Sequence, residues 1–261
     1  MYSAEKALQS AIETARAAGA VLRESFEKPR EITVKGTAID IVTEVDLASE
    51  EVCRSMLSRL YPASFLGEEG GGAAPKDDEP LWVVDPLDGT VNYAHQFPFF
   101  VVSIALCIGR EPVVGVIYDP MRDELFSAVT GRGAFLNQRP ISVSSIDSLE
   151  RSLLATGFPY DRQTSDDDNL VHHKLFTKLT QGIRRAGAAA LDLCYVAAGR
   201  LDGYWEKKLK PWDLAAGMLI VREAGGVVTD YKNQPNDPFT LEAIASNGLL
   251  HPEMARVIAS V

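Results

Sequence analysis

Residues 100–108 and 113–118 constrain this chain most. Phe100-Val101-Val102-Ser103-Ile104-Ala105-Leu106-Cys107-Ile108 is apolar at nearly every position rather than every second one. Such strands belong to a sheet buried enough to accept almost continuous apolar sequence, not to a half-wetted one. A shorter strand at 124–129, a turn at Gly131-Arg132-Gly133 and a segment at 134–136 complete an antiparallel sheet.

Helical and strand periods organise the rest. Over residues 4–26 the apolar positions Ala7, Leu8, Ala11, Ile12, Ala15, Ala18, Val21 and Leu22 form one stripe of a long helix, ended near Pro29. Residues 31–35 and 39–43 alternate about Gly36-Thr37, which predicts a hairpin. A second helix opens at Thr43 to Asp46 with Leu47, Val52, Met56, Leu57 and Leu60 turned inward. Asp46 stands where an acid ordinarily serves as a cap or dipole partner. Residues 64–67 form a short strand ending in Glu68-Glu69, followed by a flexible, polar, glycine-rich loop of the kind that can close over a site.

The polar stretch 141–149 is the natural seam within one 261-residue unit, dividing lobes of about 1–142 and 143–261. Beyond it lie a strand at 153–156 and a helix from Ser165 to about Gln181, with Asp166, Asp167 and Asp168 in its first turn. His172 and His173 are adjacent on that helix and point apart, so they cannot bind one metal together. A small-residue helix at 188–198, a strand at 201–205, a helix at 212–223, strands at 227–230 and 243–245, and a last helix from Pro252 follow. Strand–helix alternation after a strand-rich first half predicts an α/β or α+β layered sandwich.

With 26 basic and 36 acidic residues the net charge is −10, which argues against a nucleic-acid surface. Cys53, Cys107 and Cys194 sit far apart in apolar surroundings and read as small core residues in a reducing compartment. The apolar run at 97–108 is too short to span a bilayer, and the N-terminus lacks a signal-peptide core. The expected setting is cytoplasmic, with no membrane partner.

Chemistry concentrates at Trp82-Val83-Val84-Asp85-Pro86-Leu87-Asp88-Gly89-Thr90-Val91-Asn92. A strand-type run stops at Asp85-Pro86, and two carboxylates three residues apart precede a Gly-Thr turn. Oxygen ligands for hard cations and N–H groups for an anion would thus meet at one point. A surface turn is the competing reading. Glu68 and Asp213 also stand where elements end, and four acids without a His or Cys partner, with a carbonyl such as that of Leu87, favour Mg²⁺ or Mn²⁺.

These motifs resemble the inositol monophosphatase family of Mg²⁺-dependent, lithium-sensitive phosphatases. The match lies in Gly67-Glu68-Glu69, in Trp82 to Tyr93, in Trp212-Asp213-Leu214-Ala215-Ala216-Gly217 and in Glu223-Ala224-Gly225-Gly226, and extends over nearly the whole chain. The resemblance implies an αβαβα sandwich, a homodimer and a site between the lobes. It implies Glu68, Asp85 and the Leu87 carbonyl as ligands of a first metal, Asp85, Asp88 and Asp213 of a second, and Glu68 again for a weaker third. Gly89 and Thr90 would bind phosphate through backbone N–H groups. Thr90 and Asp46, with Glu68 alongside, would position the attacking water. Asp88, Ala189 and Glu206 align with contacts to polyol hydroxyls, although Glu206 beside Lys207 and Lys208 also fits an exposed ion pair. Ala188-Ala189-Ala190 departs from the more hydroxyl-rich animal version, and Lys35 is either near the site or a solvated strand-end lysine. The expected substrate is myo-inositol 1-phosphate or a similar polyol or sugar phosphate. Fructose-1,6-bisphosphatase, 3′-phosphoadenosine nucleotidase and histidinol-phosphate phosphatase activities share the fold, and a non-catalytic regulatory binding protein is the second class.

Overall fold

The computed structural model describes residues 3–28, 32–34 and 41–261. In chain order the elements are α1 (Ala4–Ser25), β1 (Ile32–Val34), β2 (Ile41–Thr43), α2 (Glu44–Leu60), β3 (Ser64–Gly67), β4 (Gly71–Gly72), β5 (Pro80–Asp88), α3 (Thr90–Ala94), β6 (Val101–Ile108) and β7 (Glu111–Asp119). They continue as β8 (Glu124–Val129), β9 (Ala134–Leu136), β10 (Arg139–Ile141), β11 (Leu153–Thr156), α4 (Leu170–Leu179), β12 (Gly182–Arg184), α5 (Ala189–Ala197), β13 (Gly203–Lys207), α6 (Pro211–Glu223), β14 (Val227–Thr229), β15 (Glu242–Ser246) and α7 (His251–Ile258).

Among the described residues the large sheet runs β10-β9-β8-β7-β6-β5-β3-β4, and a smaller one runs β12-β11-β13-β15-β14. Apolar residues alternate between two cores, which is why β6 has no polar face. Val102, Ile104 and Leu106 join Trp82 and Val84 beneath α1 and α2. Val101, Ala105 and Cys107 join Leu81 and Val83 beneath α5 and α6. The other side of α5 and α6 meets the smaller sheet, whose outer face packs on α4 and α7 around Trp205, Phe176 and Met254. The layers are therefore αβαβα, the predicted sandwich.

Several local expectations change. Leu47 does not turn inward: it is 55% exposed, because the buried face of α2 is Asp46, Ser49, Glu50, Cys53 and Leu57. The acid run at 166–168 precedes its helix; α4 starts at Leu170, and Asp167 and Asp161 instead hold Lys207 and Lys208. The predicted strand at 201–205 lies two residues later, as β13, so Glu206 sits inside it. The glycine-rich loop begins as sheet: β4 pairs with Leu66 and Gly67, and Ala73 N donates to Phe65 O at 3.0 Å. Residues 69 to 79 line neither cavity of the candidate site. Short strands β10 and β12 carry too little pattern to be read in advance. The three cysteines are buried and unpaired, as expected. The hairpin pairing of β1 with β2 is present, while its turn, Lys35 and Pro29 lie outside the described residues.

Candidate active site

β5 does not stop at Asp85. It continues to Asp88 through a bulge in which Asp85 pairs with Ser103 and Asp88 with Val101, three steps on one strand against two on the other. In a regular strand residues three apart face opposite sides. The extra residue, Pro86, restores the phase, so both carboxylates lie on the α5/α6 face while Leu87 joins the α1/α2 core. Ser49 Oγ donates to Pro86 O at 2.8 Å and Leu87 N to Asp85 Oδ1 at 2.9 Å, fixing the bulge from both ends.

The other acids arrive from neighbouring ends. Glu68 follows β3, which runs parallel to β5, and its N–H donates to Val84 O at 3.3 Å. Asp213 lies in the first turn of α6, where its Oδ2 accepts from Lys210 N at 2.7 Å. Asp213 is thus a helix cap and a wall of the cavity at once. Ala190 N, in the first turn of α5, donates to Asp88 Oδ2 at 2.7 Å. Glu68, Asp85, Leu87, Asp88 and Asp213 line one cavity of about 190 Å³, together with Gly89 and Thr90.

Their electrostatics are severe. Burial, and then the charges of Glu68, Asp88 and Asp213, push the Asp85 carboxyl well above its ordinary range. Burial and Asp213 do the same to Asp88. Burial drives Asp213 up to about 7, against the hydrogen bond from the N–H of Lys210. Among the described residues, Lys210 is the lone cationic side chain lining that cavity. An all-oxygen set of this kind suits a hard divalent cation, which would reverse the sign of the local field. Among the described residues no three such groups are already closed into a cage.

Helix α2 braces this wall with its polar buried face. Asp46 Oδ1 accepts from Thr90 Oγ1 at 2.9 Å, while its Oδ2 accepts from Thr43 N at 2.8 Å and Thr43 Oγ1 at 2.5 Å. The cap expected of Asp46 is present, and the same carboxylate reaches Thr90. Thr90 Oγ1 also lies 3.1 Å from Leu87 O. Glu50 Oε2 accepts from Glu69 N and Oε1 from Gly70 N, both at 2.8 Å, so this carboxylate holds the turn that carries Glu68. Gly89 caps α3 at φ +99°, a conformation that favours glycine, and no side chain caps that helix, leaving its first N–H groups open to an anion. Asn92 and Tyr93 are braces: Asn92 Nδ2 donates to Phe99 O and Ala186 O, and Tyr93 OH to Leu22 O.

A second cavity of about 270 Å³ shares Asp88, Gly89, Thr90, Lys210 and Asp213 with the first. Ala189 and Glu206 line it. Glu206 is not paired with Lys207 or Lys208, which turn to Asp161 and Asp167. It accepts from Tyr204 OH at 2.5 Å, and burial pushes its carboxyl up to about 7 against the hydrogen bond from Tyr204 and the charge of Arg185. Gly157 makes room for it, since a Cβ there would overlap the Glu206 carboxylate. Sequence reasoning missed Glu50, Gly157, Arg185 and Asp192. A lone acid in the otherwise apolar Ala188 to Ala198 was the available signal for Asp192.

Known proteins match this arrangement over almost the full length. The inositol monophosphatase family model covers residues 3–261. An inositol-1-monophosphatase from Synechocystis is 48% identical over 254 residues, covering 97% of this chain and 88% of that protein. Nus factor SuhB of Salmonella typhimurium is 44% identical, covering 92% of this chain and 91% of its own. The structure of an Anabaena inositol monophosphatase superposes with a TM-score of 0.88 at 47% identity, covering 97% of this chain and 95% of that one. With a sandwich of this type and four acids gathered beside a Gly-Thr turn, the chain belongs to the inositol monophosphatase family and is a phosphatase of that superfamily.

Proposed function

We propose that the chain hydrolyses myo-inositol 1-phosphate, or a similar polyol or sugar monophosphate, with Mg²⁺ or Mn²⁺ bound at the acid-lined cavity. The observation that carries this reading is the shared wall of Asp88, Gly89, Thr90 and Asp213, which joins the carboxylate-rich cavity to a second cavity with mixed polar and apolar lining. Phosphorus placed at that wall would have metal ligands on one side and room for its alcohol on the other.

Glu68, Asp85 and the Leu87 carbonyl would hold a first ion, Asp85, Asp88 and Asp213 a second, and Glu68 a weaker third. Bound there, such ions supply charge for the phosphoryl oxygens and the leaving oxygen and lower the pKa of a water. The backbone N–H groups of Gly89 and Thr90 orient the phosphate by donation. Thr90 Oγ1 gives its proton to Asp46 in a 2.9 Å hydrogen bond, so its lone pairs can accept from the attacking water. Asp46 in turn is locked by Thr43, so this acceptor is pre-aimed rather than recruited. Glu68 stands on the same cavity wall. No nucleophilic side chain is required for in-line attack. Asp88, Ala189 and Glu206 face the alcohol.

A panel assay with Mg²⁺ over inositol 1-phosphate, fructose 1,6-bisphosphate, 3′-phosphoadenosine nucleotide and histidinol phosphate tests the assignment. Higher efficiency on the nucleotide would sink the polyol reading. Inhibition by lithium at limiting Mg²⁺ is expected, and insensitivity would count against the second metal position. A regulatory binding role is supported by the kinship with a Nus factor, and would be favoured by absence of turnover with all substrates. We further infer a homodimer working in the reducing cytoplasm, checked by light scattering after size exclusion and by fractionation. No helix among the described residues is long and apolar enough to cross a membrane.

A further inference from the structure

We propose that Asp192 is a specificity-determining residue that pairs with Glu206 to present two carboxylates to hydroxyl groups of the substrate's alcohol. This rests on the polyol-phosphatase reading above. Three observations carry it. Asp192 is 2% exposed, yet it lines the 270 Å³ cavity. On α5 it lies three and four residues beyond Ala189 and Ala188, which line the same cavity, whereas Leu191, Leu193 and Cys194 enter the apolar core. Its side chain takes no hydrogen bond from any described residue, while the buried Asp88 is bonded by Ala190 N and Glu206 by Tyr204 OH.

A buried carboxyl without a protein donor is costly, and α5 would be more stable with an apolar residue there. The charges of Asp88 and Glu206 add to that cost, and Arg185, lining the same cavity, offsets only part of it. An ionised carboxylate only accepts, so what it lacks is donors. Neighbouring hydroxyls on a small ring supply several donors at once, and a cavity of about 270 Å³ lies just below the roughly 300–1,000 Å³ of pockets for drug-sized ligands. The phosphate end is served elsewhere, by Gly89 and Thr90. Asp192 therefore acts on the alcohol and not on phosphorus, which separates it from Glu68 and Asp85, which line the other cavity and not this one.

The test compares wild type, Asp192→Asn and Asp192→Ser on two probes with saturating Mg²⁺: myo-inositol 1-phosphate, and phenyl phosphate, whose alcohol has no further hydroxyl. Loss of a hydrogen bond to a charged acceptor predicts a fall of about tenfold or more in kcat/KM on inositol 1-phosphate, carried by KM. Phenyl phosphate should change by less than twofold, and the melting temperature of Asp192→Asn should not fall. Should Asp192→Asn fail to fold, the smaller Asp192→Ser carries the same comparison. Equal losses on both probes would overturn the inference, since Asp192 would then be acting through Asp88, and so would no change on either. Wild type inert on both probes would refute the polyol-phosphatase reading, and this inference with it.

Discussion

Replacing Glu50 by glutamine should damage the site without touching it. Glu50 Oε1 accepts from Gly70 N at 2.8 Å and Arg54 Nη2 at 2.9 Å, and Oε2 from Glu69 N at 2.8 Å. The Glu50 side chain is 7% exposed and Arg54 37%, so the backbone bonds are the better protected. A glutamine keeps one oxygen; its NH₂ must face either the Glu69 N–H or both the Gly70 N–H and the Arg54 guanidinium, donor against donor. Losing one charge-assisted bond costs about 1.5–3 kcal/mol, and leaving a buried N–H unpaired costs about 1–3 more. A total near 3–5 kcal/mol is the range for breaking a buried pair. At roughly 2–4 °C per kcal/mol, the melting temperature should fall by about 6–20 °C. The turn it releases carries Glu68, so half-saturating Mg²⁺ should rise by about tenfold, with kcat at saturating Mg²⁺ largely kept. Thermal unfolding with and without Mg²⁺, beside a Mg²⁺ titration of activity, reads both effects. Unchanged melting and unchanged Mg²⁺ dependence in Glu50→Gln would refute the bracing role of α2.

Asp213→Asn removes a metal charge but keeps an oxygen for Lys210 N, so turnover should fall by a large factor with the fold intact by circular dichroism; near-normal turnover would reduce Asp213 to a cap. Thr90→Val deletes the hydroxyl between Asp46 and the cavity and should lower kcat by about 10²–10⁴-fold, the range of general acid–base contributions, while Thr90→Ser retains most of it. Stability of EDTA-treated protein should depend on pH through Glu206 and Asp213, both pushed up to about 7 mainly by burial. Folded pKa values above the unfolded ones, 4.5 and 3.8, give a contribution complete below about pH 4 and lost as pH rises through about 7. Unfolding free energies from urea titrations should thus drop between pH 5 and 8 by a few kcal/mol, and Mg²⁺ should restore the loss at pH 8; a flat profile in EDTA would contradict the burial of these acids.

Much of this molecule is written locally. The double-sided apolar strands required a covered sheet, the stripe on α1 supplied one cover, and the acid–proline–acid–glycine–threonine run marked the chemistry, because each depends only on neighbours in the chain. What depended on distant partners was not legible. Asp85 and Asp88 share a face only because β5 gains a residue against β6, and that register exists only in the sheet. Apolarity alone points Leu47 inward, whereas α2 turns Asp46, Ser49 and Glu50 inward because their partners, Thr90, Pro86 and the turn after Glu68, wait 19 to 44 residues away. Spacing alone leaves Glu206 open between a polyol contact and an ion pair with its neighbours; strand alternation sends Lys207 away and leaves Glu206 facing Tyr204 and the cavity. Composition and short-range pattern determined which elements form and which residues can do chemistry. Tertiary packing alone decided which of those residues meet, since a carboxylate's role follows from the donors and charges that folding brings within a few ångströms.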